Sequence, residues 1–188
     1  ETIRKELVSG FAFKMAVLGL AVLILAQGGN RLPFPAKGLW ALVAAVSATN
    51  AVLLVFILAR KGLRRVYAGQ SYLDALVYAP AFVLTGGFLS PLVPFAFMTM
   101  MGTAIIHAGG RSLGRRVFLI VLGSYASVAA AQKAGFYADP VAYTRGLAAD
   151  NAFFSFVTGL TCLCFVMGYV ICDTVTGHLH QRIAQDAR

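Results

Sequence analysis

Apolar residues in this chain come in long runs separated by short polar clusters. Six runs stand out, approximately from Phe11 to Gln27, Leu39 to Ala59, Ser71 to Thr85, Pro91 to Ala108, Val117 to Phe136 and Asn151 to Asp173. Each is near the ~20 residues an α-helix needs to cross about 30 Å of hydrocarbon. The third is the shortest, and Pro80 interrupts it. Lipid cannot satisfy backbone N–H and C=O groups, so segments of this kind are expected to be helices rather than open strands. The pattern predicts an all-α integral membrane protein: a six-transmembrane-helix bundle over residues 1–174, followed by the start of a cytoplasmic helix over 175–188.

Composition agrees. Hydrophobic residues make up 59% of the chain and charged residues 12%, with a mean hydropathy of +0.77, far from the mixture of an ordinary globular domain. The net charge of +9 could suggest nucleic acid, but the basic residues fall in short clusters between apolar runs, where membrane topology explains them better and no nucleic-acid partner is expected. Arg4 and Lys5, then Arg60, Lys61, Arg64 and Arg65, then Arg111, Arg115 and Arg116, then Arg182 and Arg188 all fall on one side. The opposite loops hold Arg31, Lys37 and Arg145, with Asp139 and Asp150. The positive-inside rule therefore predicts both termini in the cytoplasm, and an even number of spans agrees. The first run lacks a small-residue cleavage pattern and is expected to stay as an anchor. Cys162, Cys164 and Cys172 share the last apolar run, where neither a disulfide framework nor a metal site has suitable spacing or polar company. They are expected to be small buried apolar side chains.

Small residues indicate where helices approach closely. Gly123, Ser127, Ala131 and Gly135 recur every fourth residue in the fifth run, and Ala126, Ala130 and Ala134 add a second row. This helix is expected to be central. The longest polar connection, Tyr137 to Asp150, is too short to fold alone.

The segment Thr85-Gly86-Gly87-Phe88-Leu89-Ser90-Pro91-Leu92 joins the third and fourth runs. Gly86 or Gly87 can take the left-handed conformation that ends a helix, Ser90 can cap the next, and Pro91 fits its first turn. A tight outer hairpin accounts for these residues by itself. The surroundings go further: Pro80 removes a helix hydrogen bond, Pro94 restricts the start of the fourth helix, and Tyr78, Phe82, Phe88, Phe95, Phe97, Met98, Met100 and Met101 crowd nearby. Either these side chains face lipid, or they line a cleft for a flat apolar ligand, with hydroxyls from Thr85 and Ser90. The candidate ligand residues are Pro80, Thr85, Gly86, Gly87, Phe88, Ser90, Pro91, Pro94 and Met98.

The run Gly86-Gly87-Phe88-Leu89-Ser90-Pro91-Leu92 resembles the Gly-Gly-x-x-Asn-Pro-Phe turn in the six-helix membrane domain of RegB-type redox sensor histidine kinases, of which PilS-like kinases carry a looser version. Ser90 stands where that family has Asn and Leu92 where it has Phe. The resemblance implies ubiquinone, or another quinone, as the lipophilic small molecule, a bacterial inner-membrane location, and signalling to a kinase domain through the last helix of a homodimer.

A second set of candidates is ionisable: Lys14, Asp74, His107 and Asp173, placed near the cytoplasmic face. Lys14 can pair with Asp74 or Asp173 and tie the first helix to the third or sixth, a place for signal coupling. Alternatively each lies close enough to the interface for Lys to snorkel and Asp to meet water. Gln27, Asn30, Gln132 and Lys133 lie toward the outer side and can form a polar network, whereas Asn50, deeper in the second run, is expected to make an interhelical hydrogen bond. Beyond the last run, Cys172, Val175 and Leu179 follow heptad spacing, weakened by Gly177.

No catalytic motif is present: Gly-x-Ser-x-Gly, His-Glu-x-x-His, a Walker loop and Cys-x-x-Cys are all missing from the sequence. A membrane sensor domain is the leading expectation, with the chain a fragment of a larger signalling protein. The substrate-binding subunit of an energy-coupling-factor importer is the alternative, and a structural subunit of a membrane complex a third.

Overall fold

The computed structural model describes residues 2–28, 33–59, 62–105, 111–137 and 141–186. His107, Asn30, Arg31, Arg60, Lys61, Asp139 and Arg188 lie outside the described residues. The described residues form α-helices and turns without a strand: α1 Thr2–Gly28, α2 Ala36–Ala59, α3 Leu63–Leu84, α4 Val93–Ile105, α5 Arg111–Lys133, α6 Ala142–Ala149 and α7 Asn151–Asp186.

Four of the helices contain segments long and apolar enough to cross a membrane: Leu7–Gln27, Ala36–Ala59, Ser112–Lys133 and Asn151–His178. Of the other two expected spans, Val93–Thr103 in α4 is apolar but shorter. Helix α3 has 22 residues but carries Arg64, Arg65, Gln70 and Asp74. It starts well before the apolar run that announced it. Gly62, at φ 59°, turns the chain, and its carbonyl accepts from the N–H groups of Arg65 and Val66 at 2.9 and 3.0 Å. A helix satisfies its own backbone whatever its side chains are, so it continues through polar residues that a hydropathy reading leaves out.

The polar connection between α5 and α7 holds the short helix α6, with Val141 and Thr144 fully buried at its beginning. The last apolar run and the tail after it form one helix, α7, of 36 residues.

Contacts fix the relative directions. Lys14 near the middle of α1 meets Asp74 in α3, Arg116 in the second turn of α5 reaches the Tyr72 hydroxyl at 3.4 Å, and Phe118 stacks on Tyr169 in the second half of α7 at 4.5 Å. The starts of α1, α3 and α5 and the later part of α7 therefore share one end of the bundle. The turn after α3, the end of α5 and the start of α7 occupy the other.

Helix α5 is central, as expected, and packs on α3, α4, α6 and α7. The face it uses differs from the expectation. Leu113, Val117, Val121, Tyr125, Val128, Ala129 and Gln132 are buried, whereas Gly123, Ser127, Gly135, Ala126, Ala130 and Ala134 are exposed and Ala131 is half-buried. Large side chains fill the gaps between α5 and its neighbours, so the small-residue rows lie on the outward side. Tyr125 is wedged between Phe82 of α3, edge to face at 5.7 Å, and Phe165 of α7 at 6.0 Å. Helix α4 approaches α7 where Gly168 accepts the Phe97 ring; a Cβ there would fall within the ring. The cysteines also split: Cys172 is buried, Cys162 half-buried and Cys164 exposed, so burial is not their common property.

Because Phe82 is fully buried and Leu58 is 68% exposed, their truncations should differ sharply. Phe82→Ala is expected to cost about 3 kcal/mol or more and Leu58→Ala about 0.5 kcal/mol or less, measured by denaturant titration in mixed micelles.

Candidate functional site

Helix α3 ends at Thr85. Its backbone N–H reaches only the Phe82 carbonyl, at 3.2 Å, and its hydroxyl folds back onto the Ala81 carbonyl at 2.7 Å. Two successive left-handed residues follow, Gly86 at φ 109° and Gly87 at φ 62°, a combination that side chains with a Cβ resist. A single 3-10 turn, Gly87–Leu89, leads to Ser90, whose Oγ accepts from the Leu92 N–H at 3.1 Å and lies 2.5 Å from the Thr85 hydroxyl. The expected hairpin is present, with both glycines and the serine in the roles their chemistry suggests.

What holds the hairpin is less local. The Phe88 N–H donates to Gln132 Oε1 at 3.0 Å, and the Phe88 carbonyl accepts from the Tyr125 hydroxyl at 3.0 Å. Both partners belong to α5, and they supply the hydrogen bonds that a turn buried among apolar side chains cannot obtain from water. The Phe88 ring, 2% exposed, inserts against Phe154 and Phe153 at the start of α7, with centroids 4.9 and 6.3 Å away. Lys133 completes this end by donating to the Ala148 carbonyl at 2.7 Å, its ammonium 5.2 Å from the Phe154 ring centre.

The sequence-derived ligand residues divide into two groups. Thr85, Gly86, Gly87, Phe88 and Ser90 are buried within the hairpin, and the two hydroxyls are engaged with one another and with backbone. Pro80, Pro91, Pro94 and Met98 are exposed on the outside, as is Phe95. Tyr78 is tied to Thr99 by a 2.7 Å hydrogen bond. Gln132 and Tyr125, which fix the turn, were not among the ligand candidates. A glutamine at the end of an apolar helix and a tyrosine inside it are the available signals, since each needs a buried partner.

A second polar centre lies across α1, α2 and α3. Lys14 and Asp74 form an ion pair through the second carboxylate oxygen, Gln70 donates to the first at 2.8 Å, and the same Gln70 amide donates to Asn50 Oδ1 at 3.3 Å. Of the two carboxylates expected for Lys14, the structure pairs it with Asp74. Asn50 makes its interhelical hydrogen bond as expected; Gln70, one turn before Asp74, is the member sequence reading overlooked. Asp74 lies eleven residues into α3, after the polar turns that carry Arg64, Arg65 and Gln70. Asp173, half-buried in α7, also has an interaction partner.

Fold and geometry together define the class: an all-helical protein with four helices able to span a bilayer, consistent with a multi-pass membrane protein. Comparison with protein-family models, with curated proteins and with solved structures yields no match.

Two predictions follow from these sites. Gly87→Ala would place its Cβ on the Gln132 amide, 2.5 Å from Cδ, at a φ of +62°; it should destabilise more than Gln132→Leu, which strands the Phe88 N–H at a cost of about 1–3 kcal/mol. Combining Gly87→Ala with Gln132→Ala should recover only part of the loss, because the backbone strain persists, as micellar unfolding would show. For the polar centre, Lys14→Met and Asp74→Leu should each cost more alone than together. A double-mutant cycle is expected to give a coupling of about 1–3 kcal/mol.

Proposed function

We propose that this chain is the membrane input domain of a bacterial signal-transduction protein of the histidine-kinase type. In this reading α1 to α5 and α7 all cross the inner membrane, both termini are cytoplasmic, and the domain works as a homodimer. A lipophilic ligand such as a quinone binds near the Gly86 to Leu92 hairpin, at the outward surface formed by Pro80, Pro91, Pro94 and Met98.

The observation that supports this reading is the joint between hairpin and α7. Phe88 sits against Phe153 and Phe154 in the first turn of a helix that then runs without interruption to Asp186. Its 36 residues span about 54 Å at ~1.5 Å per residue, more than the ~30 Å of hydrocarbon. A displacement of Phe88 is therefore delivered to a polar stretch beyond the apolar span by a single rigid element. The ligand shifts the packing only by the difference in its affinity for two arrangements.

Spin labels at Val175→Cys and Leu58→Cys, on a background free of the native cysteines, report the position of the far part of α7. In proteoliposomes, adding oxidised decylubiquinone should change the label separation, and reducing it should change the separation again. Unchanged separations with folded protein would sink the sensor reading, and uptake of a polar solute by the vesicles would favour the importer subunit instead.

A further inference from the structure

The hydrogen-bond account of the polar centre between α1, α2 and α3 does not balance. Asp74 uses one oxygen on Lys14 and the other on Gln70, and Asn50 Oδ1 is taken by the same Gln70 amide. Asn50 Nδ2 has no acceptor among the described residues, although Asn50 is 0% exposed. The Lys14 ammonium carries three hydrogens, and Asp74 is its described acceptor. Asn50 Nδ2 is thus a donor left unmade, and the charges of Lys14 and Asp74 cancel. A buried donor left unmade is costly.

A partner suited to Asn50 Nδ2 and the Lys14 ammonium brings acceptor oxygens without net charge. An anion would be stripped of its hydration and would compete with Asp74, while a cation would face donors. Lys14 and Asp74 retain 28% and 21% side-chain exposure, so the centre can be reached from outside the bundle. Lys14 lies a third of the way along Leu7–Gln27, about 10 Å from the start of that span at ~1.5 Å per residue. At that depth amphiphiles are plentiful and bulk water is not.

We propose that Lys14 and Asn50 form a binding site for a neutral carbonyl oxygen presented from the bilayer, supplied by a lipid ester or by a free lipophilic ketone or quinone. Lys14 receives the oxygen at the bundle surface, and a rotation of the Asn50 side chain brings its amide onto the second lone pair. Gln70 holds Asp74 in place and gives up Asn50 Oδ1 as the amide turns. The site is separate from the hairpin and needs no signalling role, so the α7 displacement measurement can fail without affecting it.

Asparagine occurs at positions 30, 50 and 151, so nitrogen-15 labelling of asparagine side chains gives a sparse solid-state NMR spectrum. The signal of Asn50 is identified by its loss in Asn50→Leu. Should that variant fail to fold, Asn30→Asp with Asn151→Asp leaves Asn50 as the sole labelled amide. Two vesicle preparations are compared: diester lipid carrying carbon-13 at the ester carbonyl, and carbonyl-free diether lipid containing a long-chain methyl ketone labelled at its carbonyl. Magnetisation transfer from Asn50 Nδ2 to the carbonyl carbon is expected, in the first preparation for a lipid ligand and in the second for a free one. Lys14→Met should reduce that transfer to background. Transfer to neither carbon in folded protein, whether or not Asn50 meets water, overturns the proposal.

Discussion

A backbone amide buried among apolar side chains has no solvent to fall back on, and the turn at Phe88 is where this constraint bears hardest on the fold. Helices satisfy their own peptide groups, but a chain reversal inside the bundle exposes several. The structure resolves the problem by lending two side chains of α5 to one residue, Gln132 to the Phe88 N–H and Tyr125 to its carbonyl. Gly87 must lack a Cβ for Gln132 to come so close. Tyr125 must be held rigidly, and the rings of Phe82 and Phe165 do this. The position of α5 between α3 and α7 and the seating of α7 on Phe88 are thus parts of one arrangement.

Charges in the other half of the bundle obey the same rule with larger stakes. Lys14 and Asp74, both partly buried, would each be expensive alone, and they neutralise one another. A bare ion pair still has lone pairs and hydrogens to satisfy. Gln70 meets part of this need by bridging the carboxylate to Asn50, which draws α1, α2 and α3 together through polar atoms. Elsewhere α1 and α2 offer mostly outward-facing apolar residues, such as Leu20, Leu23, Val52 and Val55, so the polar centre supplies much of what specifies how these two helices register against α3.

The existence of the helices was legible in the sequence because hydrocarbon length imposes itself on composition. Their ends were not: Leu63 to Gln70 is helical although it carries Arg64, Arg65 and Gln70, since hydrogen bonding along the axis is indifferent to side-chain hydropathy. The hairpin was readable from Gly86, Gly87 and Ser90, whose conformational preferences act locally. Its anchors were not, because Gln132 and Tyr125 are distant in sequence and nothing local distinguishes an amide that binds a turn from one that faces water. The small-residue rows of α5 misled for a related reason. Spacing shows which residues share a face, and Gly123 with Ser127 do, but it does not say whether that face is inward. The buried row through Val117, Val121 and Tyr125 has the same four-residue period. Likewise the Lys14 partner was narrowed to two carboxylates by charge, and only the neighbouring position of α1 and α3 selects Asp74.

The two polar features meet in α3, which contributes Gln70 and Asp74 to one and Thr85 to the other. Asp74 and Thr85 are about 16 Å apart along the axis at ~1.5 Å per residue, and Pro80 lies between them. Proline withdraws one backbone hydrogen bond from the helix at that point, so this is where α3 resists bending least. The segment above Pro80 is bound to α5 through the hairpin, and the segment below it is bound to α1 and α2 through Gln70 and Asp74. A change in the polar centre therefore acts first on the lower segment, whereas a change at the hairpin acts on the upper segment and on α7. Coupling between them requires a state in which both packings are altered, and Pro80 lowers the cost of such a state by confining the distortion to one turn.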